Sequence, residues 1–224
     1  MSPAVSGDRN VMSTPNNPLG PGPEADRRLV YHQELDSVNR EITRLGALVC
    51  ETIQRGTEAF MKAEISSTQA LIDGDDIIDQ LAVEIEERCH SILVRQAPMA
   101  GELRQVVTVV KLVAELERSA DLMVNVCKAS HRMHGSPMTP RLRGLITAMS
   151  KEAGRLMRLA LDSYADKDAN LASALADIDD ELDQLNRDMI SAIFEAHSSD
   201  EIDWLLRCSL LWSLAITNGS GTMQ

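Results

Sequence analysis

Long stretches of helical periodicity, separated by short breaks, constrain the fold of this chain more than any other feature. Apolar residues recur at every third or fourth position, which is the period of an amphipathic helix. The periodic stretches cover about 32–63, 66–96, 99–133, 140–165 and 168–196, and a sixth begins near Asp200. Pro98 and the segment 134–137 interrupt the pattern. Because long helices joined by short connections pack antiparallel, the pattern predicts an all-α helical bundle.

Composition agrees with helices and excludes several classes of protein. Aromatic residues make up only 3% of a chain that is 44% hydrophobic, so aliphatic side chains must fill the core. The net charge of −12 argues against a nucleic-acid-binding protein, which needs a basic surface. The N-terminus lacks the apolar run of a signal peptide, and the apolar stretch from Trp204 to Ile216 contains Arg207 and is too short for a membrane span. We therefore expect a cytoplasmic protein.

The two halves of the chain resemble each other around an acidic motif. The pattern D-D-x-[I/L]-D occurs at Asp75–Asp79 and again, 104 residues later, at Asp179–Asp183. Each motif lies at the edge of an apolar row with the same helical phase. The first row consists of Leu71, Ile78, Ala82, Ile85 and Cys89, and the second of Leu175, Ile178, Leu182, Leu185, Met189 and Ile193. We interpret this similarity as an internal duplication.

The domain organisation follows from the duplication. We predict two tandem three-helix repeats that form an elongated bundle, the first over 29–134 and the second over 138–203. Residues 1–28 are rich in Pro, Gly, Ser and Asn and have no period, which is typical of a disordered tail. Residues 204–224 depart from the repeat pattern, so we expect the second repeat to be incomplete and its last helix to be altered or truncated.

Three pairs of carboxylates have a spacing suited to metal binding. Asp75 and Asp79, Asp179 and Asp183, and Glu117 and Asp121 are each four residues apart, so each pair projects from one helix face. The third pair lies within or beside an apolar row formed by Val106, Val110, Val113 and Val124, away from a polar side that includes Lys111, Glu115, Ser119 and Asn125. Neighbouring carboxylates that face a core repel each other, and a divalent cation would offset that cost.

The sequence is also compatible with carboxylates that bind no metal. Arg118 or Lys128 could neutralise Glu117 and Asp121, and Asp residues at a helix start are common partners of the helix dipole. Glu87 and His90 have the E-x-x-H spacing of di-iron carboxylate enzymes, but such enzymes need two of these motifs and the chain has one. The carboxylate pairs are therefore compatible with a metal-binding helical protein, a metal-free helical adaptor and a di-metal carboxylate oxidoreductase.

Two segments resemble the PhoU family of phosphate regulators. Residues 92–104, Ile-Leu-Val-Arg-Gln-Ala-Pro-Met-Ala-Gly-Glu-Leu-Arg, are similar to the family pattern L-L-x-x-Q-x-P-V-A-x-D-L-R. Residues 111–121 resemble K-I-x-x-D-L-E-R-I-G-D, with Ala120 in place of the family's glycine. The acidic D-x-x-I-D motif is matched by Asp75, Ile78 and Asp79. The resemblance covers about 30–200 and is strongest in 71–128.

This resemblance implies a fold, a function and a set of site residues. PhoU-like proteins consist of two three-helix repeats whose acidic pairs bind metal clusters, so Fe, Zn, Mn or Mg is expected here. By position, the resemblance assigns Asp75, Asp79, Glu117 and Asp121 to one metal site and Asp179 and Asp183 to half of a second. It also implies a non-enzymatic negative regulator of phosphate uptake and phosphate-starvation signalling. The implied partners are the ATPase subunit of the phosphate ABC transporter, the phosphate sensor histidine kinase and a second copy of the chain, with membrane contact only through partners.

The last residues depart from the family in a specific way. The second repeat should end with a motif close to Tyr-Tyr-Glu-Arg-x-Gly-Asp, whereas this chain has no acidic residue after Asp203. One permitted coding of residues 212–224, started two bases later, encodes Val-Ala-Arg-Tyr-Tyr-Glu-Arg-Phe-Gly-Asp-His-Ala. We therefore hypothesise a frameshift upstream of Trp212, beginning near 201–204, which would leave the second metal site incomplete.

Overall fold

The computed structural model describes residues 23–131, 138–166 and 168–196, and within these ranges the regular structure is entirely helical. Six helices follow one another within these ranges. They are α1 (Pro23–Lys62), α2 (Ile65–Asp73), α3 (Asp75–Gln96), α4 (Gly101–Ser130), α5 (Pro140–Asp166) and α6 (Ala169–Ala196). The predicted all-α fold is therefore confirmed. No helix in the described ranges is long and apolar enough to cross a membrane.

Two predicted boundaries were wrong. Helix α1 begins at Pro23, so residues 23–28 belong to a helix rather than to the predicted tail. Proline is favoured in the first turn of a helix because the backbone N–H that it lacks has no helical partner there. The stretch 66–96 is divided at Gly74, which ends α2 and begins α3. An isolated glycine breaks a helix only in some contexts, so periodicity alone did not reveal this break.

The turn between α3 and α4 makes these helices an antiparallel hairpin. Ala97 adopts the left-handed conformation with φ 43°, and its N–H donates to the carbonyl of Leu93. Pro98 follows and cannot continue the helix. Helix α4 then begins at Gly101 and runs back along α3. The turn therefore sets which residues of α3 lie opposite which residues of α4.

Helix α1 is the centre of the described structure, because it packs against α3, α4 and α5. Its buried row contains Val38, Ile42, Leu45 and Val49, each with no exposed surface. Two partly exposed ion pairs link α1 to α3 and show that the two helices are antiparallel. Their side chains are Arg95 with Glu34 at 2.7 Å and Arg88 with Glu41 at 2.9 Å.

The second half of the chain docks on the first through α1 and α5. Gly46 of α1 lets Leu161 approach so closely that a Cβ at this glycine would lie 2.4 Å from a leucine methyl group. Near the other end of the contact, the buried hydroxyl of Ser150 donates to that of Thr57 at 3.0 Å. The hydroxyl of Tyr164 donates to the side-chain oxygen of Asn39 at 2.6 Å. Apolar contact and these hydrogen bonds together fix the position of α5 on α1.

Burial supports both apolar rows on which the duplication was predicted. All five residues of the first row are buried, as are Leu175, Leu182, Met189 and Ile193 of the second. Helices α5 and α6 pack against each other, and α1 and α3 also pack against each other. The predicted third helix of the second repeat and the segment 204–224 lie outside the described residues.

Candidate metal centre

Three of the predicted carboxylates meet where the start of α3 lies against α4. Asp75 and Asp79 lie in the first turns of α3, and Asp121 lies on the facing side of α4. Each contributes one carboxylate oxygen, and these oxygens all lie within 4.8 Å of one another. Below, these three residues are called the acidic cluster.

The local sequence explains why the three side chains converge. The break at Gly74 makes Asp75 the first residue of α3, and Asp79 follows one turn later on the same face. Ile78, between them in sequence, is buried and anchors this part of α3 in the core. On α4 the residue before Asp121 is Ala120, which has no exposed surface, so the α4 backbone lies close to the core here. The cluster thus lies at the edge of a packed helix–helix contact.

Asp75 is the least favourably placed of the three as a free carboxylate. Its Oδ1 atom is buried and has no hydrogen-bond partner. Burial, together with the nearby charges of Asp79 and Asp121, raises the pKa of Asp75 from 3.8 to about 6, although Lys128 acts in the opposite direction. An ionised group that lacks both water and a partner destabilises the fold. The Oδ1 atom of Asp75 is therefore a buried acceptor that no hydrogen bond satisfies.

The same causes act on the adjacent acids. Burial, followed by the charges of Asp121 and Asp76, raises the pKa of Asp79. Burial, followed by the charges of Asp121, Asp79 and Glu86, raises the pKa of Glu117. Glu117 thus belongs to the same electrostatic environment, one turn along α4 from Asp121.

The donor set fits a hard or borderline divalent cation. Carboxylate oxygens from two helices are ligands that Mg²⁺, Mn²⁺ and Fe²⁺ accept, and Zn²⁺ also binds carboxylates. A cation among them would satisfy the buried Oδ1 atom of Asp75 and offset the repulsion among the three acids. Lys128 is exposed and supplies only part of the neutralising charge, while Arg118 pairs with Glu115 instead. The two basic residues therefore do not fully offset the charge of the cluster, and its donor set suits a divalent cation.

The prediction for the acidic face of α4 was partly wrong. Glu117 is half-buried, as expected for an acid beside the core, but Asp121 is exposed. Ser119, which was assigned to the polar side, is only 3% exposed. Its hydroxyl donates to the carbonyl of Glu115 at 2.7 Å, and this hydrogen bond allows a small polar side chain to be buried.

Glu86 is a member of this acidic environment that the sequence pattern did not reveal. It is half-buried on α3 and raises the pKa of Glu117. It follows Asp79 by seven residues, or two helical turns, and therefore lies on the same face of α3. Counting one heptad onward from Asp79 along the same helix face would have identified Glu86.

The second predicted site stays a prediction. Asp183 is half-buried on α6, and the side chain of Asp179 lies outside the described residues. The helix that would complete this site also lies outside them.

The single E-x-x-H motif is remote from the acidic cluster. Glu87 and His90 are both exposed, and Glu87 lines a groove between α3 and α1 rather than the α3–α4 contact. Nothing in the placement of these two residues favours a di-metal oxidoreductase.

Comparison with known proteins identifies close similarity to one family. The family model described as the PhoU domain matches residues 42–130 and 146–213, so the second match ends inside the segment 204–224. The Aquifex aeolicus phosphate-specific transport system accessory protein PhoU homolog is 30% identical over 168 residues, which is 73% of this chain and 75% of the relative. The corresponding homolog 1 of Mycobacterium tuberculosis is 28% identical over 169 residues, covering 75% and 76% of the two chains.

Two solved structures share the fold. The crystal structure of PhoU from Pseudomonas aeruginosa has a TM-score of 0.73 and 25% identity, covering 85% of this chain and 95% of that one. The phosphate transport system regulatory protein PhoU from Streptococcus pneumoniae has a TM-score of 0.71 and 22% identity, covering 85% and 93%. Each match extends over both halves of the described structure.

Proposed function

The chain belongs to the PhoU family, and from that premise we propose that it is a cytoplasmic, non-enzymatic negative regulator of phosphate uptake and phosphate-starvation signalling. It acts by binding the ATPase subunit of the phosphate ABC transporter and the phosphate sensor histidine kinase, and it pairs with a second copy of itself. The names of its relatives, which are accessory and regulatory proteins of phosphate transport systems, support this proposal.

The observation that supports the proposal most strongly within the structure is the acidic cluster. Asp75 and Asp79 come from α3 and Asp121 from α4, and their oxygens converge within 4.8 Å. A bound divalent cation would supply the positive charge that these three carboxylates lack. Asp75 and Asp121 would then be drawn together, so the position of the start of α3 relative to α4 depends on the state of the cluster. We propose that this dependence tunes the binding surface of the α3–α4 hairpin.

A metal-free adaptor is the second candidate, because the charge of Lys128 offsets part of the rise in the pKa of Asp75. The double substitution Glu117→Ala and Asp121→Ala separates the two candidates. A metal-tuned regulator loses partner affinity in this variant, whereas a metal-free adaptor keeps both its stability and its partner binding. Unchanged affinity would therefore favour the adaptor.

A phosphate-starvation reporter tests the regulatory role. In a strain deleted for this gene and grown with abundant phosphate, we expect the reporter to be active, and the wild-type gene should repress it again. The Asp79→Asn and Asp121→Asn double variant should restore less repression than Asp76→Asn, a matched exposed control on the same helix. A reporter that stays repressed in the deletion strain would count against the proposal.

A further inference from the structure

The outward surface of the α3–α4 hairpin exposes several large apolar side chains. Val94 is 83% exposed and Met99, in the turn, is 79% exposed. Val83 of α3 is about half exposed, and Leu103 and Val107 of α4 are about two fifths exposed. These five residues are called the hairpin face below. Exposed apolar residues are ordinary when scattered singly, but a group on one surface marks an interaction site.

Helical spacing places these residues side by side. On α4 the positions 103, 107, 110, 114, 117 and 121 form one continuous row, because each step is three or four residues. The row begins with apolar residues, Leu103, Val107, Val110 and Ala114, and ends with Glu117 and Asp121. On α3, Val83 and Val94 are eleven residues apart, which is three helical turns, so they share a face.

The hairpin pairs the two helices in register. Because α3 and α4 are antiparallel around the turn at 97–100, Val94 lies near Leu103, and the start of α3 lies near Asp121. The surface is thus apolar near the turn and acidic at the cluster. The row from position 103 to position 121 is roughly 27 Å long, at about 1.5 Å per residue.

The shape and charge of this surface indicate its occupant. We propose that the hairpin face binds an amphipathic helix of the phosphate transporter's ATPase subunit, a proposal that rests on the function proposed above. The apolar side of that helix covers Val83, Val94 and Leu103, because two antiparallel helices side by side can bind a third helix along their shared surface. Its Lys or Arg residues lie toward the acidic end of the face, where Glu86 and Glu117 add negative charge beyond the three carboxylates that a cation would neutralise. Anionic lipid is disfavoured as the occupant by the same acidic residues.

Binding of the full-length chain to the purified ATPase subunit tests the proposal. Val94→Glu should weaken binding at least about tenfold, since it places a charge at the apolar end of the contact. Leu103→Glu, tested separately, should have an effect in the same direction. Ile65→Glu is the matched control, because Ile65 is 46% exposed on α2, outside the hairpin face. The Ile65→Glu variant should bind the ATPase subunit with the affinity of the wild type. Wild-type affinity should also fall as salt rises from about 50 to about 500 mM.

Four results would overturn the proposal. Equal affinity of Val94→Glu and the wild type would refute the hairpin face and leave the proposed function standing. If the wild type does not bind the ATPase subunit, both this choice of partner and the binding surface are refuted. The starvation reporter would still test the regulatory role independently. If Val94→Glu converts a dimer to a monomer in light scattering, the occupant is a second copy. If it lowers Tm by more than about 4 °C, the chain's own residues cover the face.

Discussion

Replacing Asp75 by Asn should stabilise the metal-free protein at neutral pH. Raising the pKa of this carboxyl from 3.8 to about 6 corresponds to ~3 kcal/mol of unfavourable interaction when it is ionised. Because Asp75 is only partly buried, water screens part of this energy, and we expect a gain of about 1–2 kcal/mol. Asn has nearly the same shape and no charge, so it removes the repulsion without leaving a cavity.

The stabilisation by Asp75→Asn should depend on pH, because only the wild-type side chain titrates. The folded state favours protonated Asp75. The contribution of this group to the free energy of unfolding of the wild type is therefore fully present below about pH 4 and is lost as the pH rises through about 6. Asn does not titrate, so the stability difference between variant and wild type should be near zero at pH 4 and should reach its full value by pH 7.5. In thermal units the gain at pH 7.5 is roughly 3–6 °C in Tm for a chain of this size.

Urea unfolding followed by circular dichroism, after removal of metal with a chelator, measures this difference at each pH. Asp76→Asn is the control, because Asp76 is exposed beside Asp75 in the first turn of α3. This substitution removes the same charge from the helix N-terminus. Its effect should stay within about 0.5 kcal/mol. An Asp75→Asn variant that is less stable than the wild type at pH 7.5, or a difference that does not change with pH, would refute the reasoning.

Three further predictions test the turn after α3, the register of α3 and the packing of α5 on α1. Ala97→Gly should raise the free energy of unfolding by about 0.5–1 kcal/mol, because Ala97 has a φ of 43° that glycine adopts without strain; unchanged or lower stability in urea would contradict this. Ile85→Ala should cost about 2–5 kcal/mol and Val83→Ala less than about 0.5 kcal/mol, since only Ile85 is fully buried; similar losses in thermal unfolding would show that the register of α3 is wrong. Thr57→Val should cost about 1–3 kcal/mol because it leaves the buried Ser150 hydroxyl without its acceptor, and a double-mutant cycle with Ser150→Ala that shows no coupling would disprove this hydrogen bond.

Much of the fold follows from local sequence. Helical periodicity and the breaks at Pro98 and 134–137 were enough to predict the long helices, because an amphipathic row must be buried wherever it occurs. The exception is Gly74, whose effect depends on how α2 and α3 pack on neighbouring helices. The start of α1 at Pro23 was also missed, because the residues around it have little apolar periodicity.

The candidate site was predicted less completely than the fold. Spacing of four residues identified the acidic pairs, since this spacing puts two side chains on one helix face. Which pairs meet depends on the register of the α3–α4 hairpin, and that register is set by the conformation of the turn after Ala97. The exposure of Asp121 and the participation of Glu86 likewise depend on the side-by-side placement of two helices, which no single helix encodes.

Metal content measured after equilibrium dialysis tests the central claim most directly. The full-length wild type and the Asp79→Asn and Asp121→Asn double variant would be dialysed in turn against Mg²⁺, Mn²⁺, Fe²⁺ under anaerobic conditions, and Zn²⁺, and the bound metal measured by mass spectrometry. Asp76→Asn serves as the control. We predict that for at least one of these metals the wild type and the control retain at least one more ion per chain than the double variant. Equal metal content in all three proteins for every cation would contradict the assignment of this cluster as a metal centre.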